Sequence, residues 1–251
     1  MCFNGRVYPE RANVNITIPG PLTVSVPEIG LRFKATVSVG ASQISALVET
    51  EEGDQDLLTL RNYLGDIVSA MTDALGYLSG CGYEIELTSV TFPDGRHEVF
   101  GVGIPILEEG KGDRPLTFRE LFRLITSGRP SSFFLHRGFS DLRHAIRSSG
   151  NTAFFCFRAI EDMRRSFWKP EDGRHRRPSW ERMAAALRIG RGYIVPVKQW
   201  RDLQAHGEPK HMTDRERAEI LQRTWRVMDR FCAYLFRGEK PLPEEEFVFL
   251  G

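Results

Sequence analysis

The sequence predicts an α+β protein: an N-terminal antiparallel β-sheet with one packed helix, followed by a C-terminal up-and-down α-helical bundle. Three observations lead there. Over the first hundred residues apolar side chains alternate with polar ones in short runs, except in one long stretch of helical period. From residue 116 onward the apolar stripes recur at three and four. The charge also changes sign. Residues 1–112 carry 7 Lys/Arg against 15 Asp/Glu, a balance of −8, and residues 113–251 carry 27 against 18, a balance of +9. An acidic β module over 1–112 and a basic helical module over 113–251 are therefore expected, joined at "LEEGKGDRP" (107–115).

The elements follow in order. "VNITI" (14–18), "LTVSV" (22–26), "LRFKATVSV" (31–39) and "SQISALVE" (42–49) are rich in β-branched residues and broken by Pro and Gly, so each reads as a short strand. Residues 53–80 switch period. Leu57, Leu60, Leu64, Ile67, Val68, Met71 and Leu75 share one helical face, with Asp54 or Asp56 as the cap and Gly80 as the stop. Residues 83–92 and 97–106 read as a hairpin turning at Pro93-Asp94-Gly95. Helices are expected over 116–128, 131–150 (one broken helix or two short ones), 151–168, 179–189, 193–206 and 213–236. Thr117 and Glu120 are spaced as a capping box, and Pro196 falls in the first turn of its predicted helix. Helical spacing assigns Phe154, Phe155, Phe157, Phe167 and Trp168 to the core rather than to base stacking.

Composition and motifs exclude several classes. Apolar residues are 41% and charged residues 27%, as in a folded soluble domain. No apolar run approaches the ~18 residues of a membrane span. The first residues lack the basic-then-apolar order of a secretory signal. Cys2, Cys81, Cys156 and Cys232 are scattered, with no CxxC and no zinc-like spacing, which predicts reduced thiols in a cytoplasmic protein and no metal site. There is no HExxH, GxSxG or dinucleotide fingerprint, and no cofactor is expected.

Three constellations remain. "DGRHRRP" (172–178) puts Arg174, His175, Arg176 and Arg177 between two helices. It reads either as a set of loop-borne phosphate contacts for RNA or another polyanion, or as a solvated connection ended by proline. Arg158 and Glu161 lie at i, i+3 on one helix. Exposed, such a pair stabilises by only ~0.2–0.5 kcal/mol; buried, it would order a nearby site. The third is "RDLQAHG", with Arg201 and His206 five positions apart and Asp202 after the arginine. A helix that merely stops would also choose His in its last turn and Gly after it. Arg129/His136 and Arg137/His144 repeat a related spacing elsewhere in the chain.

A helical bundle with R-x(4–6)-H ahead of its last long helix resembles the HEPN superfamily of RNA-associated domains. The resemblance spans residues 116–237, and "RDLQAH" carries its motif. It implies metal-independent RNA cleavage by a homodimer that brings two motifs together, with Arg201 and His206 as catalytic residues. Many members of that superfamily instead serve as binding or assembly modules. The chemistry suits the residue types. Histidine titrates near neutral pH and can pass a proton, and the planar guanidinium matches a phosphate. Five helical residues are ~500° of turn, so the two side chains would point ~140° apart unless the helix ends before His206. Gly207 and Pro209 would permit such an end. In the HEPN reading the acidic N-terminal module regulates or docks a protein partner; the alternative is a non-enzymatic module whose basic half contacts nucleic acid or an acidic protein.

Overall fold

A computed structural model describes residues 1–18, 20–50, 56–101, 103–109, 114, 116–206 and 211–251. The chain is α+β and divides into two compact units, Met1–Val102 with His211–Asp214, and Gly103–Lys210 with Arg215–Gly251. The division falls ten residues before the position read from the charge balance. Part of the expected linker is folded: Leu107 is buried within a short helix, and residues 110–113 and 115 lie outside the described residues.

The first unit is a seven-stranded antiparallel sheet of β1 (Cys2–Tyr8), β2 (Ile16–Thr17), β3 (Leu22–Val26), β4 (Leu31–Gly40), β5 (Gln43–Thr50), β6 (Glu84–Thr91) and β7 (His97–Val99). Its order is β2-β4-β5-β1-β6-β7, with β3 also pairing β4. Burial along β4 alternates without a break, which places one face of the sheet in the core and the other in solvent. Helix α1 (Leu57–Ser79) covers the core face. Leu60, Leu64, Val68, Thr72 and Gly76 recur every four residues along its buried side. Asp56 caps α1 by accepting from the Thr59 backbone N–H at 2.9 Å, and Gly80 ends it in the left-handed region. Asp54 lies outside the described residues.

Two features of this sheet depart from expectation. Strand β1, unread in the sequence, sits at the centre between β5 and β6. Its middle, Asn4-Gly5-Arg6, hides the alternation of Phe3, Gly5 and Val7 toward the core. Register slips between Asn4 and Gly5, and a Cβ on Gly5 would meet the Glu86 carbonyl oxygen at 2.3 Å, so the bulge admits only glycine. Strand β7 stops at Val99 rather than running to 106, and helix α2 (Pro105–Glu109) begins within the stretch read as strand, with proline at its first position.

The second unit is helical: α2, α3 (Phe118–Ile125), α4 (Pro130–Arg147), α5 (Thr152–Arg165), α6 (Arg177–Leu187), α7 (Arg191–Ala205) and α8 (Asp214–Phe236). The Thr117–Glu120 capping box forms at the head of α3. Residues 131–150 resolve into one helix and a following 3-10 turn, not two helices. Pro196 sits inside α7, past its first turn, because the helix starts two residues earlier than read. Phe157 and Phe167 are buried as expected, whereas Phe154 and Trp168 stand exposed. Arg137 on α4 donates to Asp162 on α5 at 3.0 Å, and Arg158 on α5 donates through Nε to both Asp141 oxygens on α4 at 2.9 Å. Numbers rise along α4 as they fall along α5, so these two helices run antiparallel. No described helix is long and apolar enough to cross a membrane.

Candidate functional site

A cleft of about 880 Å³ opens between α5, α6 and α7. Its floor is apolar. Phe157 from α5 and Trp180 from α6 stand with ring centroids 6.1 Å apart, and Ala184, Ile189, Ile194 and Val195 complete it. Five cations line it, Arg176, Arg177, Arg191, Lys198 and Arg201, against two carboxylates, Glu161 and Glu181. A smaller hollow of about 340 Å³ adjoins through the shared Arg176. It is lined by Phe134, Arg164, Arg165, Trp168, Arg174 and His175, with no carboxylate in its wall.

The loop that carries the basic run is pinned from below. Asp172 is buried. It accepts from the Lys169 backbone N–H at 3.0 Å and pairs with Arg182, which also donates to the Phe167 carbonyl at 2.9 Å. Trp168 Nε1 donates to the Gly173 carbonyl at 3.2 Å, and the His175 N–H to the Asp172 carbonyl at 2.9 Å. Burial alone would push the Asp172 carboxyl up. The Lys169 N–H and the Arg182 guanidinium outweigh it and hold the group below the usual range. Arg174, His175 and Arg176 are thus displayed in solvent by an ordered turn, and Arg177 is already the first residue of α6, paired with Glu181 at 2.7 Å.

Arg158 and Glu161 do not pair. Arg158 is committed to Asp141 and lies over the Phe155 ring at 5.0 Å, and Glu161 receives Arg164 at 3.3 Å and Arg176 at 3.7 Å. The i, i+3 spacing brings the two near each other, but Arg158 turns to Asp141 on α4, and Glu161 pairs with Arg164 one turn further along α5 and with Arg176 in the following loop. Asp141 and Asp162, the buried acids that hold the α4–α5 arginines, were not singled out in the sequence. Acids on an otherwise apolar helix face were the only signal for them.

Arg201 and His206 part company. Helix α7 runs through Ala205 and still carries the His206 N–H on the Asp202 carbonyl at 3.0 Å, so the helical angle between the two side chains persists. Arg201 lines the cleft, its guanidinium 4.2 Å from the Phe157 ring centroid and 3.2 Å from Asp202. Its Nε is buried without an acceptor among the described residues. His206 is exposed at the helix end and does not line the cleft. Asp202 accepts from Lys198 at 2.6 Å. That hydrogen bond, aided by Arg201, Lys198 and His206 as nearby positive groups, holds its carboxyl below the usual range. Gly207 and Pro209, the residues invoked for an early helix end, lie outside the described residues.

The site therefore assembles Glu161, Arg176, Arg177 and Arg201 around one cleft, with Arg174 and His175 in the adjoining hollow. Trp180, Arg191 and Lys198 complete it and were not read from the sequence. Spacing along one helix cannot show which side chains three helices turn toward a common gap. Among the described residues no group of three or more His, Cys, Asp and Glu is placed to hold a metal ion. Burial pushes the Cys156 thiol up to about 12, which keeps it protonated and inert.

Two family models match the chain. Residues 1–100 match the N-terminal domain of "Domain of unknown function (DUF8168)", and residues 118–236 match its C-terminal domain. No curated protein and no solved structure matches it.

Proposed function

We propose that this chain, which belongs to the DUF8168 family through both of its halves, is an RNA-associated binding protein whose helical unit holds a polyanionic strand along α5–α7. The carrying observation is the run of exposed cations from Arg174 through Arg177 to Arg191 and Lys198, presented on ordered elements around an aromatic-floored cleft. A groove that tracks a backbone with positive charge and offers ring faces to bases is the common plan of single-strand binders. The HEPN resemblance of the same helices points to RNA as the polyanion.

Binding is favoured over cleavage. Hydrolysis through the R-x4-H motif needs the guanidinium and the imidazole on one phosphate. Here Arg201 faces the cleft while His206 faces solvent at the helix end. The test is anisotropy of a labelled single-stranded RNA titrated with the full chain across a range of salt. Tight low-salt binding with a log–log slope of about −3 is expected, as when roughly four phosphates are contacted on a single strand. Salt-independent binding, or none, overturns the reading. The same RNA incubated with and without EDTA and resolved on a gel should stay intact; cleavage abolished by His206→Ala would restore the enzyme.

A further inference from the structure

The floor of the α5–α7 cleft asks for more than phosphate. A strand of phosphates needs only cations, and the exposed loop at 174–177 would suffice for it. The cleft instead leads inward to Trp180 and Phe157, walled by Ile189, Ile194 and Val195. At about 880 Å³ it lies within the ~300–1,000 Å³ of sites that enclose a small-molecule-sized group. Trp180 is half-buried, with the Arg164 guanidinium carbon 5.7 Å from its ring centroid. Arg201 lines the cleft beside Phe157, its guanidinium carbon 4.2 Å from that ring's centroid. Arg177, Arg191 and Lys198 line the cleft as exposed cations; Arg177 and Lys198 hold surface ion pairs with Glu181 and Asp202, for which a phosphate must compete.

From this arrangement, and resting on the RNA-binding reading above, we infer that the cleft receives an unstacked nucleobase of a single strand. The base lies against Trp180, which Phe157 backs, beside Arg201, and its flanking phosphates lie on Arg176, Arg177, Arg191 and Lys198. The adjoining hollow gives the strand its path. Arg176 is shared, Arg174 and Arg165 continue the charge, and the exposed Trp168 offers the next ring face. A duplex cannot enter on these terms, since extruding a paired base costs a few kcal/mol.

The full chain is titrated with four labelled probes of matched length: a single-stranded RNA, its duplex, an abasic strand of the same charge, and a polyglutamate peptide. The single strand should bind at least tenfold tighter than the other three. Trp180→Ala should weaken the single strand by about five- to thirtyfold, the loss of one stacked base, leave the abasic strand unchanged, and be largely rescued by Trp180→Phe. Equal affinity for the single strand, the abasic strand and the duplex overturns the base pocket while leaving a polyanion binder. Preference for polyglutamate overturns it in favour of an acidic protein partner. No binding of any probe at low salt removes the underlying reading as well. The wild-type comparison of base-bearing with abasic strand decides the matter even if Trp180→Ala fails to fold.

Discussion

On α8, Arg217 and Arg230 are buried, and their guanidinium groups donate mainly to backbone carbonyls. Arg217 donates to Thr152 Oγ1 at 2.9 Å, to the Ala145 carbonyl at 3.3 Å and to the Ile146 carbonyl, near the C-terminal end of α4. Arg230 does the same at the end of α6, reaching the Leu187 carbonyl at 3.0 Å and the Arg188 carbonyl at 2.7 Å. Along the α5–α7 cleft, by contrast, Arg174, Arg176, Arg177 and Arg191 stand in solvent. The first group satisfies the unpaired carbonyls and the negative end of a helix dipole, and so serves the fold. The second group faces solvent, where the ion pairs of Arg176 with Glu161 and Arg177 with Glu181 are exposed enough for a polyanion to compete for them. A charge balance of +9 counts both alike, so it overstates the cationic surface and says nothing of where that surface lies.

The sharpest way to break this contrast is Arg217→Met. It keeps the volume but takes the guanidinium donor from the Ile146 carbonyl and from Thr152 Oγ1, while Thr152 still donates to the Ala145 carbonyl at 2.9 Å, and should cost the helical unit about 3 kcal/mol by urea unfolding with little direct effect on the cleft. A loss below about 1 kcal/mol would show that α8 arginines are not structural. The mirror experiment reverses Arg174, Arg176 and Arg177 to Glu. RNA affinity at low salt should fall about a hundredfold, with the unfolding midpoint nearly unchanged because all three side chains are exposed. Comparable affinity in the reversed variant would move the interface elsewhere.

Asp229 sharpens the α8 side through its pH dependence. Burial raises its carboxyl from 3.8 to about 6, and Arg114 offsets this only in part. A raised acid binds its proton more tightly in the folded state. Its neutral form is compatible with the fold at low pH, and stability is lost as pH rises from about 4 through about 6. Asp229→Asn should therefore be near neutral at pH 4 and stabilising by about 2 kcal/mol at pH 7, read from urea midpoints at the two values. A stabilisation that is the same at both values would assign the effect to packing instead. The smallest effect belongs to His206→Ala. The side chain is exposed at a helix C-terminus, so stability should change by less than about 1 kcal/mol and RNA affinity by less than twofold.

Much of the fold was legible because its signals are local. The four-residue recurrence of α1, its Asp56 cap and Gly80 stop, and the Thr117–Glu120 box all act within one or two turns of chain. Strand β1 was not legible, since a central strand with polar Asn4 and Arg6 around a bulged glycine breaks the alternation that marks strands. The β4–β5 hairpin turns on Ala41 and Ser42, both at positive φ, without the usual Asn-Gly. Its support comes from far along the chain, with Ser42 Oγ accepting the Val14 N–H at 2.9 Å and Asn15 Oδ1 accepting the Ala41 N–H at 2.9 Å. Within the candidate site, the basic run was found by composition alone. The bond between Arg158 and Asp141 was not, because seventeen residues and a change of helix separate them.

The sequence by itself determined the class of the protein, the type of nearly every element, and the sign of charge in each half, because periodicity, capping and charge are properties of neighbouring residues. Only the tertiary structure decided which arginines are spent on helix ends and which remain for a ligand. It alone turned Arg201 onto Phe157 while leaving His206 in solvent. It also made a cleft of residues from three helices. Each of these depends on contacts between segments far apart in the chain, and spacing along one helix carries no information about what packs against it.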